Sequence, residues 1–123
     1  MVAMADGARY EMFAEIVGAQ LGAVTFVQDY LQLHFDGPTI NVTAVLRVST
    51  RTGSCQSGEP QFRDALCAQI AKIVSKVSGR ADEALRIRFE DESEIAISLR
   101  AADRPSGESY FAHGFASGAW HSS

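Results

Sequence analysis

The sequence is poor in the features that usually announce a chemistry. Its 123 residues include two cysteines, three prolines, three histidines and one tryptophan. Cys55 and Cys67 stand twelve positions apart with no CxxC pair, which excludes the paired-thiol spacing of a structural zinc site. No uninterrupted apolar run approaches the ~20 residues that carry a helix across a bilayer, so no membrane span is expected. Met1 to Gly7 lacks the basic start and long apolar stretch of a secretory signal. The expected location is therefore cytoplasmic, where thiols stay reduced and the Asn41-Val42-Thr43 sequon has no consequence.

Positive charge is also scarce. Eleven Lys and Arg stand against fifteen Asp and Glu, for a net charge of -4. Proteins that live on phosphate contacts carry a basic surplus, so nucleic acid is not an expected partner. No Gly-rich segment ends in Gly-Lys-Ser/Thr after a strand, and no G-x-S-x-G elbow occurs. The acidic run Glu90, Asp91, Glu92 and Glu94 lacks the ligand alternation and central Gly of a calcium loop, and reads as a solvated hairpin turn. His113 and His121 are eight apart, not the HxxxH of a helical metal pair. Neither a metal nor a cofactor is implied.

What the chain does have is apolar material, 46% of residues, enough for one core in one domain. Met12, Phe13, Ile16 and Val17 recur at helical spacing and predict a helix over Ala8 to Gln20, with Gly22 ending it. Val24 and Phe26 then alternate with polar neighbours, and Gln28-Asp29-Tyr30 reads as a tight turn. Leu31, Leu33 and Phe35 form the next strand, closed by Gly37-Pro38. Ile40, Val42, Ala44, Leu46 and Val48 share one face of a long strand. Ser49 to Glu59 reads as a polar surface loop holding Cys55.

Pro60 suits a helix start, and Phe62, Leu66, Ile70, Ile73 and Val77 form an apolar stripe that Cys67 and Val74 widen. Asp64 near its start and Lys72 and Lys76 near its end complement the helix dipole, with Gly79 as the terminating residue. Leu85, Ile87 and Phe89, then Ile95, Ile97 and Leu99, predict a second hairpin. Tyr110 to Trp120 reads as an edge strand or packed extension.

The two hairpins resemble each other. Leu31-Gln32-Leu33-His34-Phe35-Asp36 matches Leu85-Arg86-Ile87-Arg88-Phe89-Glu90 at an offset of 54, and Ile40-Asn41-Val42-Thr43 matches Ile95-Ala96-Ile97-Ser98 at 55. Duplication or the shared demands of any half-buried hairpin would both produce this. Like faces suggest one sheet. The expected fold is α+β, a two-layer sandwich of five or six mainly antiparallel strands with two helices on one face, in the order α-β-β-β-α-β-β(-β).

In that arrangement the polar sheet face carries the candidate binding residues His34, Asn41, Thr43, Arg86 and Arg88. His34 has a general base's chemistry if Asp36 orients it and Arg88 lies beside it; otherwise it is a solvated surface residue. Arg63-Asp64 reads as a helix-start ion pair or as part of a binding surface. No catalytic residue is nominated.

The strings Asp29-Tyr30-Leu31-Gln32-Leu33-His34-Phe35-Asp36-Gly37-Pro38 and Phe62-Arg63-Asp64-Ala65-Leu66-Cys67 resemble a family of small uncharacterised bacterial proteins with an F-D-G-P turn and an R-D-A-L-C helix. The likeness covers roughly positions 20 to 120 and implies origin and fold, not an activity. Three function classes follow from the residues. The first is a non-catalytic module that binds itself as a dimer or binds, and so neutralises, a partner protein. The second is a small enzyme built on His34. The third is a small-ligand sensor with a cavity lined by Phe35, Phe62 and Phe89.

Overall fold

The computed structural model describes residues 10–105 and 107–116 and the backbone of 121–122. The chain is mixed α+β but mostly strand. Among the described residues helix is confined to a 3-10 helix at Glu11–Ile16, to α1 (Phe62–Cys67) and to a 3-10 turn at Ala101–Asp103. The strands are β1 (Ala23–Phe26), β2 (Leu31–His34), β3 (Thr39–Val42), β4 (Leu46–Thr50), β5 (Gly53–Gln56), β6 (Val74–Arg80), β7 (Ala84–Phe89), β8 (Glu94–Ser98), β9 (Tyr110–His113) and β10 (His121–Ser122).

They form two antiparallel sheets, ordered β1-β2-β3-β9-β10 and β5-β4-β8-β7-β6. The expectation of one sheet covered by two helices is corrected here. Leu31, Leu33, Ile40, Val42 and Tyr110 of the first sheet share one buried core with Leu46, Val48, Leu85, Ile87, Ile95 and Ile97 of the second. Alternation tells which side chains of a strand turn inward. It does not tell whether two hairpins lie side by side or bury their inner faces in a common core.

The strand expected over Thr39 to Ser49 is divided. Of its inward residues, Ile40, Val42, Leu46 and Val48 are buried and Ala44 is half-buried, but the chain leaves the first sheet at Thr43 and joins the second at Leu46. The Thr43 and Ala44 amides donate to the Ser109 carbonyl at 3.0 and 3.1 Å, and the Val45 amide to that of Asp103 at 3.0 Å. Strands that change sheet in this way make the corners of such packings.

A repeated order emerges. A helical turn and three strands (β1, β2, β3) are followed by β4, which pairs β8 of the other sheet. Likewise α1 and three strands (β6, β7, β8) are followed by β9, which pairs β3. The first helical segment packs on β6, and α1 packs on β1, β4 and β5. The resembling hairpins thus hold equivalent places in the two sheets.

Both predicted helices are shorter than their apolar stripes. The first keeps Phe13 and Ile16 buried and ends before Gly18, whose positive φ turns the chain; Ala8 and Arg9 lie outside the described residues. In the second, α1 stops at Cys67, Ala71 takes a left-handed φ of 80°, and Val74–Arg80 is strand. A bulge between Val74 and Lys76 shifts the pleat, leaving Val74, Val77 and Gly79 less exposed than their neighbours. The spacing of three between Val74 and Val77 imitates a helical stripe.

Gly79 is therefore no helix terminus but a mid-strand position against which the Tyr10 ring packs. The Ser49 to Glu59 loop contains β5, where Cys55 is half-buried, and Cys67 is exposed rather than a core thiol; both cysteines are free. Tyr110 to His113 is an interior strand between β3 and β10, not an edge, while residues 117–120 with Trp120 lie outside the described ones.

Candidate functional site

Because the two sheets bury their apolar faces together, their polar faces form two separate surfaces. The five candidate binding residues are divided accordingly. His34 and Asn41 lie on the first sheet, Arg86 and Arg88 on the second, and Thr43 at the corner between them. His34 does not meet Arg88.

On the first sheet, strand register places Thr25, Gln32, Asn41 and Phe111 in one cross-strand row and Ala23, His34, Thr39 and His113 in the next. Both His34 ring nitrogens face hydroxyls, Nε2 at 3.0 Å from Thr25 Oγ1 and Nδ1 at 3.3 Å from Thr39 Oγ1. Asp36, expected to orient the ring, instead adopts φ 50° in the following turn. Gln32 Nε2 donates to Asn41 Oδ1 at 2.7 Å, and Asn41 Nδ2 donates to the Phe111 carbonyl at 3.0 Å. Neither row contains Lys, Arg, Asp or Glu. The Thr43 hydroxyl donates to the Glu108 carbonyl and fixes the corner rather than joining this face.

At the margin of this sheet β1 pairs, among the described residues, only with β2. Val27 and Tyr30 exchange backbone hydrogen bonds across the turn, at 2.8 and 3.4 Å. Antiparallel alternation then makes Thr25–Gln32 the next bonded pair and turns the N–H and C=O of Val24 and Phe26 away from β2. Val27 and Tyr30 are exposed beside this edge. Arg63 of α1 lies over the Phe26 ring, 5.1 Å from its centroid, so a cation–π contact replaces the expected ion pair with Asp64 as its described partner.

The second sheet's polar face is charged. Its rows are Gln56, Arg47, Ala96, Arg86 and Ser78, then Ser49, Glu94, Arg88 and Lys76. Glu94 receives Arg86 at 3.2 Å and Arg88 at 3.7 Å, and Arg47 Nη2 donates to Gln56 Oε1 at 2.9 Å. A cleft of about 590 Å³ opens on this face between Arg47, Arg86 and Arg100, with Ala96 and Ser98 on its lining and Glu83 and Asp103 at its sides.

Sequence reasoning missed one polar cluster. Lys72 Nζ contacts Asp91 Oδ2 at 2.7 Å, Gln69 Oε1 at 3.0 Å and Ser93 Oγ at 3.2 Å. The Lys72 ammonium foremost, then the Ser93 hydroxyl and amide, hold the Asp91 carboxyl well below the usual carboxylate range. A serine beside a lysine has the residue types of a nucleophile and its base, but Ser93 is 3% exposed and its lysine is held by a carboxylate. The cluster pins the segment after α1 to the β7–β8 turn. The acidic run is thus partly a docking element. No sequence pattern marks it, since Lys72 and Asp91 meet only through the fold.

Phe35, Phe62 and Phe89 are buried in the common core. No group of three His, Cys, Asp or Glu able to hold a metal occurs among the described residues, and no described helix is long and apolar enough to cross a membrane. No family model, curated protein or solved structure matches the chain.

Proposed function

We propose that the chain is a non-catalytic binding module that associates with a second copy of itself through the β1 edge and the uncharged face beside it. The observation carrying this reading is the pair of residues Val24 and Phe26, whose backbone N–H and C=O groups point away from β2 on a strand with no second strand partner among the described residues. Antiparallel pairing about a twofold axis at Thr25 matches Val24 with Phe26 of the second copy and Phe26 with its Val24. Each such match exchanges two backbone hydrogen bonds, and the contact is self-complementary as a closed dimer requires. Thr25 meets Thr25 on the axis, a favourable cross-strand pair. A net charge of -4 opposes self-association in general, but the rows next to this edge contain no charged residue.

Light scattering tests this with Thr25→Lys, which sets two ammonium groups opposite each other on the axis. The wild type is expected at twice 13.3 kDa in concentrated solution and the variant at 13.3 kDa. A wild type that stays at 13.3 kDa, or a variant that dimerises equally well, refutes the reading.

A further inference from the structure

The two sheets offer a comparison within one molecule. In the first, Gln32, Asn41 and Phe111 occupy a cross-strand row, and Asn41 is tied to both neighbours by hydrogen bonds. The equivalent row of the second is Arg86, Ala96 and Arg47. Where one sheet is filled and neutral, the other has an alanine between two arginine positions. From this we propose that the second sheet's polar face is a binding site for a small phosphorylated polyol, its phosphate held between Arg47 and Arg86 over Ala96.

Strand spacing puts the Arg47 and Arg86 backbones about 10 Å apart, two inter-strand steps, so two long side chains reach an oxyanion centred over the alanine. A longer residue at position 96 fills that place. Guanidinium forks match the paired oxygens of a phosphate. Charge is available for the purpose. Arg47 is bonded only to neutral Gln56, Arg86 shares the single carboxylate of Glu94 with Arg88, and Arg100 has no ion-pair partner among the described residues. In a chain whose net charge is negative, this cleft is a local inversion of sign.

The carboxylates select the rest of the ligand. Asp103 Oδ2 already accepts the Ser98 hydroxyl at 2.7 Å, and Glu83 lies on the same cleft. They suit hydroxyl donors and repel a second phosphate, which favours a sugar-phosphate monoester over a nucleic-acid backbone. The volume of about 590 Å³ accommodates such a molecule.

Isothermal titration of the intact chain with ribose 5-phosphate, inorganic phosphate, ribose and a single-stranded oligonucleotide tests the proposal. Saturable binding of ribose 5-phosphate is expected, about tenfold or more tighter than inorganic phosphate, with ribose silent and the oligonucleotide weaker. Ala96→Leu and Arg47→Ala are each expected to weaken binding by about tenfold or more, with unchanged far-UV circular dichroism. Thr25→Lys is expected to bind as wild type does, so loss of the dimer leaves this result intact. No saturable binding, equal affinity for inorganic phosphate, tighter binding of the oligonucleotide, or wild-type affinity in a folded Ala96→Leu or Arg47→Ala protein overturns it.

Discussion

Replacing Gly79 by alanine adds one methyl group, and the fold places that methyl inside the ring of Tyr10. Gly79 lies within β6, and Tyr10, 4% exposed, immediately precedes the 3-10 helix that packs on this strand. The ring must move or the strand must yield. A buried tyrosine covers about 150–250 Å², so complete expulsion forfeits at most roughly 4–6 kcal/mol at about 25 cal/mol per Å². Sideways displacement costs about 1–3 kcal/mol, the range for overpacked cores. A loss of about 2–4 kcal/mol in urea unfolding followed by circular dichroism is therefore expected. The decisive comparison is the double-mutant cycle with Tyr10→Ala. With the ring gone the Cβ at position 10 still lies 2.9 Å from the added methyl, but the two closer ring contacts are removed, so Gly79→Ala is expected to cost about 1 kcal/mol or less in that background. Equal losses in both backgrounds, or a single variant within about 0.5 kcal/mol of wild type, would show that the first helical segment does not dock on β6 through this contact.

Two other perturbations probe the polar cluster and the end of α1. Asp91 has its carboxyl held below the ordinary range in the folded state, so its stabilising contribution is present above the unfolded value and lost as pH falls through the folded one. The stability difference between wild type and Asp91→Asn should be constant above about pH 4 and shrink below it. Because Asp91 is half exposed, the plateau should stay under about 1 kcal/mol, and a difference that grows as pH falls would contradict the pairing with Lys72. Ala71 holds a left-handed φ of 80°, so Ala71→Gly should raise stability by up to about 1 kcal/mol in urea titration, whereas a loss would mean the strain is not there.

Much of the core was legible because strand alternation is a local signal. Leu31, Leu33 and Phe35, and Leu85, Ile87 and Phe89, are buried as their period of two requires. The partnership of the hairpins was not legible, since an inward face reads the same beside a neighbour or across a core. The segment after α1 misled for a different reason. Its bulge at Val74 to Lys76 broke the alternation, and the resulting spacing matched a helix better than a strand. Val74 and Ile73 are β-branched, which argued for strand, but lysines at positions 72 and 76 had an equally coherent reading at a helix end.

The candidate site suffered from the same gap. His34, Asn41, Arg86 and Arg88 were correctly recognisable as outward-facing residues, yet their division between two surfaces depends on sheet pairing alone. Asp36 could not be excluded as a partner for His34 from spacing, because the turn that carries it away is set by a single positive φ. The cleft beside Ala96 depends on β4 crossing from the first sheet to the second, which brings Arg47 next to a strand almost fifty residues later in the chain.

Amide hydrogen exchange at Val24 and Phe26 addresses the binding module most directly. In dilute solution both amides should exchange as freely as unbonded groups, and on concentration both should become protected while the amide of Thr25, bonded within the sheet, changes little. Unchanged exchange at Val24 and Phe26 in a sample whose mass has doubled would contradict the β1 edge as the contact surface.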